Sequence, residues 1–127
     1  MKTDPRILVV DDEAVMREFL LEILENYQPL GVEDGEKAWQ LIQSQEVSLV
    51  ISDLKMPGMD GLELLRRIKQ YDEDIPVIII TGYASLQTSY ECIRRGAAGF
   101  LKKPFTISQI RAAVDKVMQM RGEQASD

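Results

Sequence analysis

Histidine is absent from this chain, so imidazole serves neither as general base, nor as metal ligand, nor as phosphate carrier. Any chemistry falls to carboxylates, hydroxyls and lysines. Cysteine occurs once, at Cys92, which rules out an internal disulfide and suits a reducing cytoplasm. Lying in a helical pattern, it reads as a small buried or half-buried thiol. Long apolar runs are missing too. No stretch approaches the roughly 18 residues of a membrane span, and the start, Met1-Lys2-Thr3-Asp4-Pro5, has no apolar region behind it. The expectation is a cytoplasmic protein that does not enter the membrane. Positive charge is in deficit: the formal net charge is −6, so no basic field recruits nucleic acid, and no segment reads as a DNA-binding helix. What remains is 127 residues, 45% of them hydrophobic. That is one domain, with enough apolar matter for a core without staples.

Apolar runs alternate with helical patterns five times. Arg6–Val10 is a strand ending on Asp11-Asp12-Glu13. Val15, Phe19, Leu20, Ile23 and Leu24 then mark one stripe of a helix ending near Asn26. In the next segment Pro29 removes a donor and Gly31 a side chain, so a short, irregular strand is expected at a sheet edge. Asp34-Gly35 opens a helix with Ala38, Leu41 and Ile42 inside and Trp39 off the stripe. Val47–Ile51 is a buried strand leading into Asp53. Met56-Pro57-Gly58 turns the chain towards a third helix, whose stripe is Leu62, Leu65 and Ile68, widened by Leu64.

Pro76–Thr81 is the most hydrophobic strand: four consecutive β-branched residues, Val77 to Ile80, suggest burial on both faces, and it ends on the hydroxyl of Thr81. Ser85 caps a fourth helix whose apolar stripe is thin, Leu86, Tyr90 and Ile93, so that it should pack less firmly than its neighbours. Gly96 stops it. Gly99–Lys102 is the last strand, and Lys103-Pro104 breaks it. Thr106 with Gln109 is a capping-box signal for a final helix lined by Ile110, Ala113, Val114, Val117 and Met118. The domain is expected to occupy residues 1–120, with 121–127 a tail or the start of a linker. The βα repeat predicts an α/β fold, doubly wound, with a parallel sheet, helices on both faces and right-handed crossovers.

In such a sheet the carboxyl ends of the strands converge on one edge, where ligands bind. Those ends carry Asp11 and Asp12, Asp53, Thr81 and Lys103. Taken singly, each has a plain structural reading: an acidic first helical turn, a turn residue, a strand end, a Lys-Pro turn. Taken together they gather three carboxylates, a hydroxyl and an ammonium in one cleft. Clustered carboxylates repel unless a cation screens them. Oxygen-only ligands select a hard ion such as Mg²⁺. Such an ion would also shield a carboxylate nucleophile from a phosphoryl donor, and phosphoryl transfer needs mainly positioning and charge stabilisation.

On Ile7-Leu8-Val9-Val10-Asp11-Asp12-Glu13, Asp53-Leu54-Lys55-Met56-Pro57-Gly58-Met59-Asp60-Gly61, Thr81-Gly82-Tyr83-Ala84 and Lys103-Pro104-Phe105, the chain resembles the response-regulator receiver domains of two-component signalling. The resemblance covers roughly residues 5–120. It implies a (βα)5, flavodoxin-like fold with strand order 2-1-3-4-5. It makes Asp53 the phosphoacceptor for a histidine kinase or phosphotransfer protein. Asp11 and Asp12 would hold Mg²⁺, Asp12 directly and Asp11 partly through water, together with Asp53 and the backbone carbonyl of Lys55. Thr81 would be the switch hydroxyl, Phe100 the switch aromatic, and Lys103 the site lysine before a cis Pro104. Phosphate on Asp53 would then change the surface of the fourth helix, fifth strand and fifth helix. That surface would meet an output domain or protein, or a second copy in a phosphorylation-dependent homodimer. Lys55 and Tyr83, at positions that influence phosphoryl loss in this family, are neither acids nor amides, and imply a slowly hydrolysing aspartyl phosphate.

Two other readings compete. An aspartate-nucleophile phosphatase of the haloacid-dehalogenase type, a true enzyme, requires an acid two residues after the nucleophile, where this chain has Lys55. A flavodoxin-like cofactor binder requires a hydroxyl- or glycine-rich loop after the first strand, where this chain has Asp11-Asp12-Glu13. A receiver-like module that signals by binding, without phosphate, is compatible with the same fold.

Overall fold

The computed structural model describes residues 6–125. Along the chain run β1 (Ile7–Val10), α1 (Ala14–Ile23), β2 (Leu30–Val32), α2 (Gly35–Ser44), β3 (Leu49–Asp53), α3 (Gly61–Tyr71), β4 (Val77–Thr81), α4 (Leu86–Arg94), β5 (Gly99–Lys102) and α5 (Ile107–Ala125). A 3-10 turn, Glu25–Tyr27, follows α1. The strands form one sheet of order β2-β1-β3-β4-β5, every pair parallel. This is the doubly wound arrangement that the βα alternation predicts, and it places β3 at the centre.

The period-two alternation of the strands splits the core in two. Leu8, Val10, Val50, Val77 and Ile79 face one side, against Ala38, Ile42, Leu64, Leu65, Ile68 and Cys92 from α2, α3 and α4. Ile7, Val9, Leu49, Ile51, Ile78 and Ile80 face the other, against Leu20, Ile110, Val114 and Val117 from α1 and α5. Each such side chain, fully buried, contributes about 1.5–3 kcal/mol relative to exposure. The central strands are therefore the rigid part of the molecule, and what their ends carry is held firmly.

Four helix starts are fixed by side chains. Asp34 accepts from Lys37 N–H and Asp60 from Glu63 N–H. Ser85 and Thr88 form a reciprocal capping box. At α5, Thr106 N–H donates to Gln109 Oε1 at 2.8 Å and Gln109 N–H to Thr106 Oγ1 at 3.1 Å. Gly96 takes φ +102° just past α4, a left-handed stop that glycine adopts without a Cβ penalty. Trp39 is half-buried and stands edge-on to Tyr71 at 5.5 Å between ring centroids, joining α2 to α3.

The segment weakened by Pro29 and Gly31 is a three-residue strand at the sheet edge, paired with β1 alone. Pro29 falls just before the ladder and costs it no donor. The central strand runs two residues later than the apolar pattern suggests, so Asp53 is its last residue rather than the start of the next turn. α5 continues to Ala125, past the expected end of the domain at residue 120. The remainder of the expected tail, 126–127, lies outside the described residues, as do residues 1–5.

Two stripes differ from expectation. In α1, Val15 is 84% exposed and Phe19 is exposed too, whereas Leu20 and Leu24 are buried, with Met16, Leu21 and Ile23 packed beside them. Val15 precedes Leu20 by five residues, about 140° round a helix, so the two cannot share a face. In α4, Leu86, Tyr90 and Ile93 all face solvent, and Cys92 alone is buried. The small thiol, not the large apolar residues, is the inward contact, and α4 presents an apolar flank to solvent.

Candidate functional site

Asp53 closes β3 and is buried. The loop after it is anchored by buried Leu54, Met56 and Met59 and turns at Gly58 with φ +75°. It returns so closely that a Cβ on Gly61 would lie 2.2 Å from the Asp53 carbonyl oxygen. Only glycine admits that approach, so the first turn of α3 rests on the peptide of Asp53. Gly61 N–H donates to Leu54 O at 2.9 Å. The main chain beneath the carboxylate is thereby fixed. The carboxylate itself accepts from Lys55 N–H at 3.3 Å through Oδ1, and from Lys103 Nζ at 2.9 Å through Oδ2.

Asp11 follows β1 and is likewise buried. Its Oδ1 accepts from Glu13 N–H at 2.9 Å, which closes a tight turn, and its Oδ2 accepts from Lys103 Nζ at 3.2 Å. Glu13 Oε1 lies 3.5 Å from the same nitrogen. Carboxylate oxygens of Asp11, Glu13 and Asp53 all stand within 4.8 Å of one another. One ammonium thus faces three carboxylates, leaving two negative charges in excess.

The electrostatics follow from that crowding. Burial, chiefly, raises the Asp11 carboxyl above its ordinary range, and the neighbouring Asp53 charge adds to it; Glu13 N–H and Lys103 hold it partly back. Burial alone would lower the Lys103 ammonium, but its bond to Asp53 and the charges of Asp11 and Asp53 outweigh this and raise it. Lys103 is therefore charged at neutral pH and screens the pocket. It is placed by Lys103 N–H donating to Thr81 O at 2.9 Å, beyond the paired ends of β4 and β5; the Lys103-Pro104 bond that follows is cis. Thr81 is fully buried, and its Oγ1 accepts from Tyr83 N–H at 3.0 Å. The hydroxyl hydrogen is not consumed by that bond.

Of the residues expected from sequence, the fold brings Asp11, Asp53 and Lys103 into contact and sets Thr81 on the adjoining strand end. Asp12 is exposed and stands outside the carboxylate group. Lys55 is exposed, with its N–H on Asp53. Phe100 is half-buried on β5, packed against the α2–α3–α4 side of the core. Sequence reasoning passed over Glu13 as a member of the group. Its signal was the acidic run itself, but only the turn closed on Asp11 Oδ1 decides which of three consecutive acids join the group.

The donor set fits a hard divalent cation: three carboxylates, no nitrogen or sulfur donor, and two excess negative charges. Among the described residues no helix is long and apolar enough to cross a membrane.

Known proteins resemble this chain in sequence and in fold. The chain is 40% identical over 118 residues to sporulation initiation phosphotransferase F of Bacillus subtilis, covering 91% of this chain and 95% of that protein. It is 33% identical over 122 residues to transcriptional regulatory protein FixJ of Bradyrhizobium diazoefficiens, covering 94% of this chain but only 59% of that one. Among solved structures, the signal receiver domain of a putative Luxo repressor protein from Vibrio parahaemolyticus superposes with a TM-score of 0.92 at 30% identity, covering 97% of this chain and 96% of that one. A CheY-like response regulator receiver domain protein from Methanospirillum hungatei gives 0.91 at 26%, covering 96% and 99%. The response regulator receiver domain model matches residues 7–115, from the first residue of β1 into α5 and across every residue of the acidic pocket, and the chain belongs to that family of two-component signalling domains.

Proposed function

We propose that this receiver domain is a phosphorylation switch in which Asp53 accepts a phosphoryl group from a phosphohistidine on a histidine kinase or phosphotransfer protein. The observation that carries this reading is the setting of Asp53: a buried carboxylate at the end of the central strand, held by Lys103 at 2.9 Å and flanked by Asp11 and Glu13. An Asp53 oxygen attacks phosphorus, the P–O bond forms, the P–N bond to the donor imidazole breaks, and the imidazole leaves with the electron pair and takes a proton from water. Asp11, Glu13 and Asp53, with Asp12 and the Lys55 carbonyl, would hold Mg²⁺, which when bound supplies charge neutralisation between nucleophile and phosphoryl oxygens. Lys103 exchanges part of its carboxylate contact for the new phosphoryl oxygens. The phosphohistidine must come from outside these 127 residues, which hold no histidine. The domain is a switch and not a turnover enzyme on a separate substrate.

The signal is read on the α4–β5–α5 face. The Thr81 hydroxyl turns its hydrogen to the phosphoryl group, and Phe100 follows into the space vacated. Charge-assisted hydrogen bonds contribute on the order of 1.5–3 kcal/mol each, against about 5.5 kcal/mol for a full reversal of a two-state equilibrium. The exposed Leu86, Tyr90 and Ile93 of α4 are the surface that an output domain, an output protein or a second copy would cover. Lys55 and Tyr83 offer an attacking water neither an acid nor an amide, so the phosphoryl group persists.

Acetyl phosphate with Mg²⁺ should label the wild type and not Asp53→Asn. Absence of Mg²⁺-dependent label on Asp53 would leave a module that acts by binding alone. A phosphoryl half-life of seconds in the purified protein would contradict the slow loss expected from Lys55 and Tyr83.

A further inference from the structure

We propose that Arg17 is a positioning residue for the acidic pocket and that Gly31 is the slot through which it reaches. The proposal rests on the reading of the pocket as a Mg²⁺ and phosphoryl site. Asp11 lies in the turn between β1 and α1, and its main chain is clamped from two directions. Its N–H donates to Val32 O of β2 at 3.1 Å. Its carbonyl accepts from Arg17 Nη1 at 2.8 Å. Arg17 grips the same turn a second time, since its own N–H donates to Glu13 O at 2.9 Å. Between those two contacts stand two of the three pocket carboxylates, Asp11 and Glu13. Their mutual repulsion favours splaying the turn, and a guanidinium on the Asp11 carbonyl opposes it with a charge-assisted bond.

To reach Asp11 from α1, the Arg17 stem crosses β2 at Gly31. A Cβ on Gly31 would lie 3.1 Å from Arg17 Cγ, 3.2 Å from Arg17 Cδ and 3.0 Å from Leu21 Cδ1. Gly31 is not among the glycines with positive φ, so its backbone does not demand glycine. The space does. Glycine weakens a strand, and here it does so in a strand of only three residues. The weakness has a counterpart in the path it opens for Arg17. The edge strand is thereby part of the site's support, although it contributes no ligand.

The test compares Arg17→Met, Gly31→Ala and the double variant with the wild type. Methionine keeps much of the stem over Gly31 and removes the donor. Mg²⁺ dissociation constants are read from amide shifts of Asp53 and Lys55. Outer-shell groups that orient metal ligands change affinity by about tenfold or more, and a loss of about tenfold is expected in Arg17→Met. Gly31→Ala should weaken Mg²⁺ in the wild-type background and add less than about twofold once Arg17 is gone. In metal-free protein, hydrogen exchange of Glu13 N–H, which is donated to Asp11 Oδ1, should accelerate about tenfold in Arg17→Met while Leu8 and Val50 keep their protection. A merely structural role would lower the thermal midpoint and leave the Mg²⁺ constant and Glu13 exchange unchanged; that result overturns the proposal. Equal effects of Gly31→Ala in both backgrounds overturn the slot. If the wild type binds no Mg²⁺, the reading of the pocket falls, and Glu13 exchange still decides the role of Arg17.

Discussion

The Lys103 ammonium donates to Asp53 Oδ2 at 2.9 Å, tying the residue after β5 to the last residue of β3. The same nitrogen lies 3.2 Å from Asp11 and 3.5 Å from Glu13. It is both a structural screen and, on the proposed function, a ligand for phosphoryl oxygens. Lys103→Met keeps an aliphatic stem and leaves three carboxylates facing one another. Removing one partner of a buried ion pair costs on the order of 3 kcal/mol, and a loss of that size is expected in metal-free urea unfolding. Saturating Mg²⁺ should restore much of it, since a ligand at a hundredfold its dissociation constant stabilises by about 2.7 kcal/mol. An unchanged midpoint in chelator would show that the screen is dispensable.

The pocket also sets a pH dependence. The Asp11 carboxyl titrates above its ordinary value of 3.8 in the folded state, mainly through burial. Its contribution to stability is therefore fully present below 3.8 and is lost as pH rises through the raised value. Ionised Asp11 thus opposes folding at neutral pH, and Asp11→Asn should raise the metal-free thermal midpoint while weakening Mg²⁺ binding. Lys103 has the same sign at the other end of the scale. Its folded value lies above 10.5, so its contribution holds below 10.5 and fades as pH rises beyond it. An Asp11→Asn variant less stable than wild type at pH 7 in chelator would contradict the first half of this account.

The five βα units, the edge position of β2, the Ser85 and Thr106 caps and the residues at the strand ends were legible in sequence; the Asp34 and Asp60 caps read only as turns. Strand periodicity, Asp/Ser/Thr caps and glycine stops are local signals, and each was present. Two things were not legible. Helix faces were misassigned where apolar residues exceed what the core can take. Val15 and Phe19 sit among Met16, Leu20, Leu21, Ile23 and Leu24, so several stripes could be drawn through α1, and only the sheet's position selects one. The second was the pointing of three consecutive acids. Asp11, Asp12 and Glu13 are equivalent by composition, and the turn that brings the first and third beside Asp53 is closed by a side-chain bond that composition does not reveal.

The misassigned face of α4 yields a contrast that stability measurements resolve. Leu86 is 89% exposed and Ile93 faces solvent, whereas Leu65 of α3 is fully buried. Leu86→Ser and Ile93→Ser should each change unfolding free energy by no more than about 0.5 kcal/mol. Leu65→Ala should cost about 2–5 kcal/mol. If the two serine variants cost as much as the alanine variant, α4 packs through its large residues after all.

The exposed apolar residues of α1 bear on the donor. Val15 is two residues from Glu13, and Phe19 stands 6.3 Å from Phe105, which is two residues from Lys103. With Ile107, also exposed, these side chains stand on the elements that follow the pocket residues Glu13 and Lys103 in the chain. On the proposed function, a protein donor must cover ground around Asp53, whereas acetyl phosphate touches the pocket alone. Val15→Ser and Phe19→Ser should therefore slow transfer from a phosphohistidine protein and leave labelling by acetyl phosphate unchanged. Val15→Ser, at a site 84% exposed, should move stability little, whereas Phe19→Ser also loses the ring contact with Phe105. Loss of labelling from both donors would place the defect in the pocket, and equal rates from both would remove α1 from the docking face.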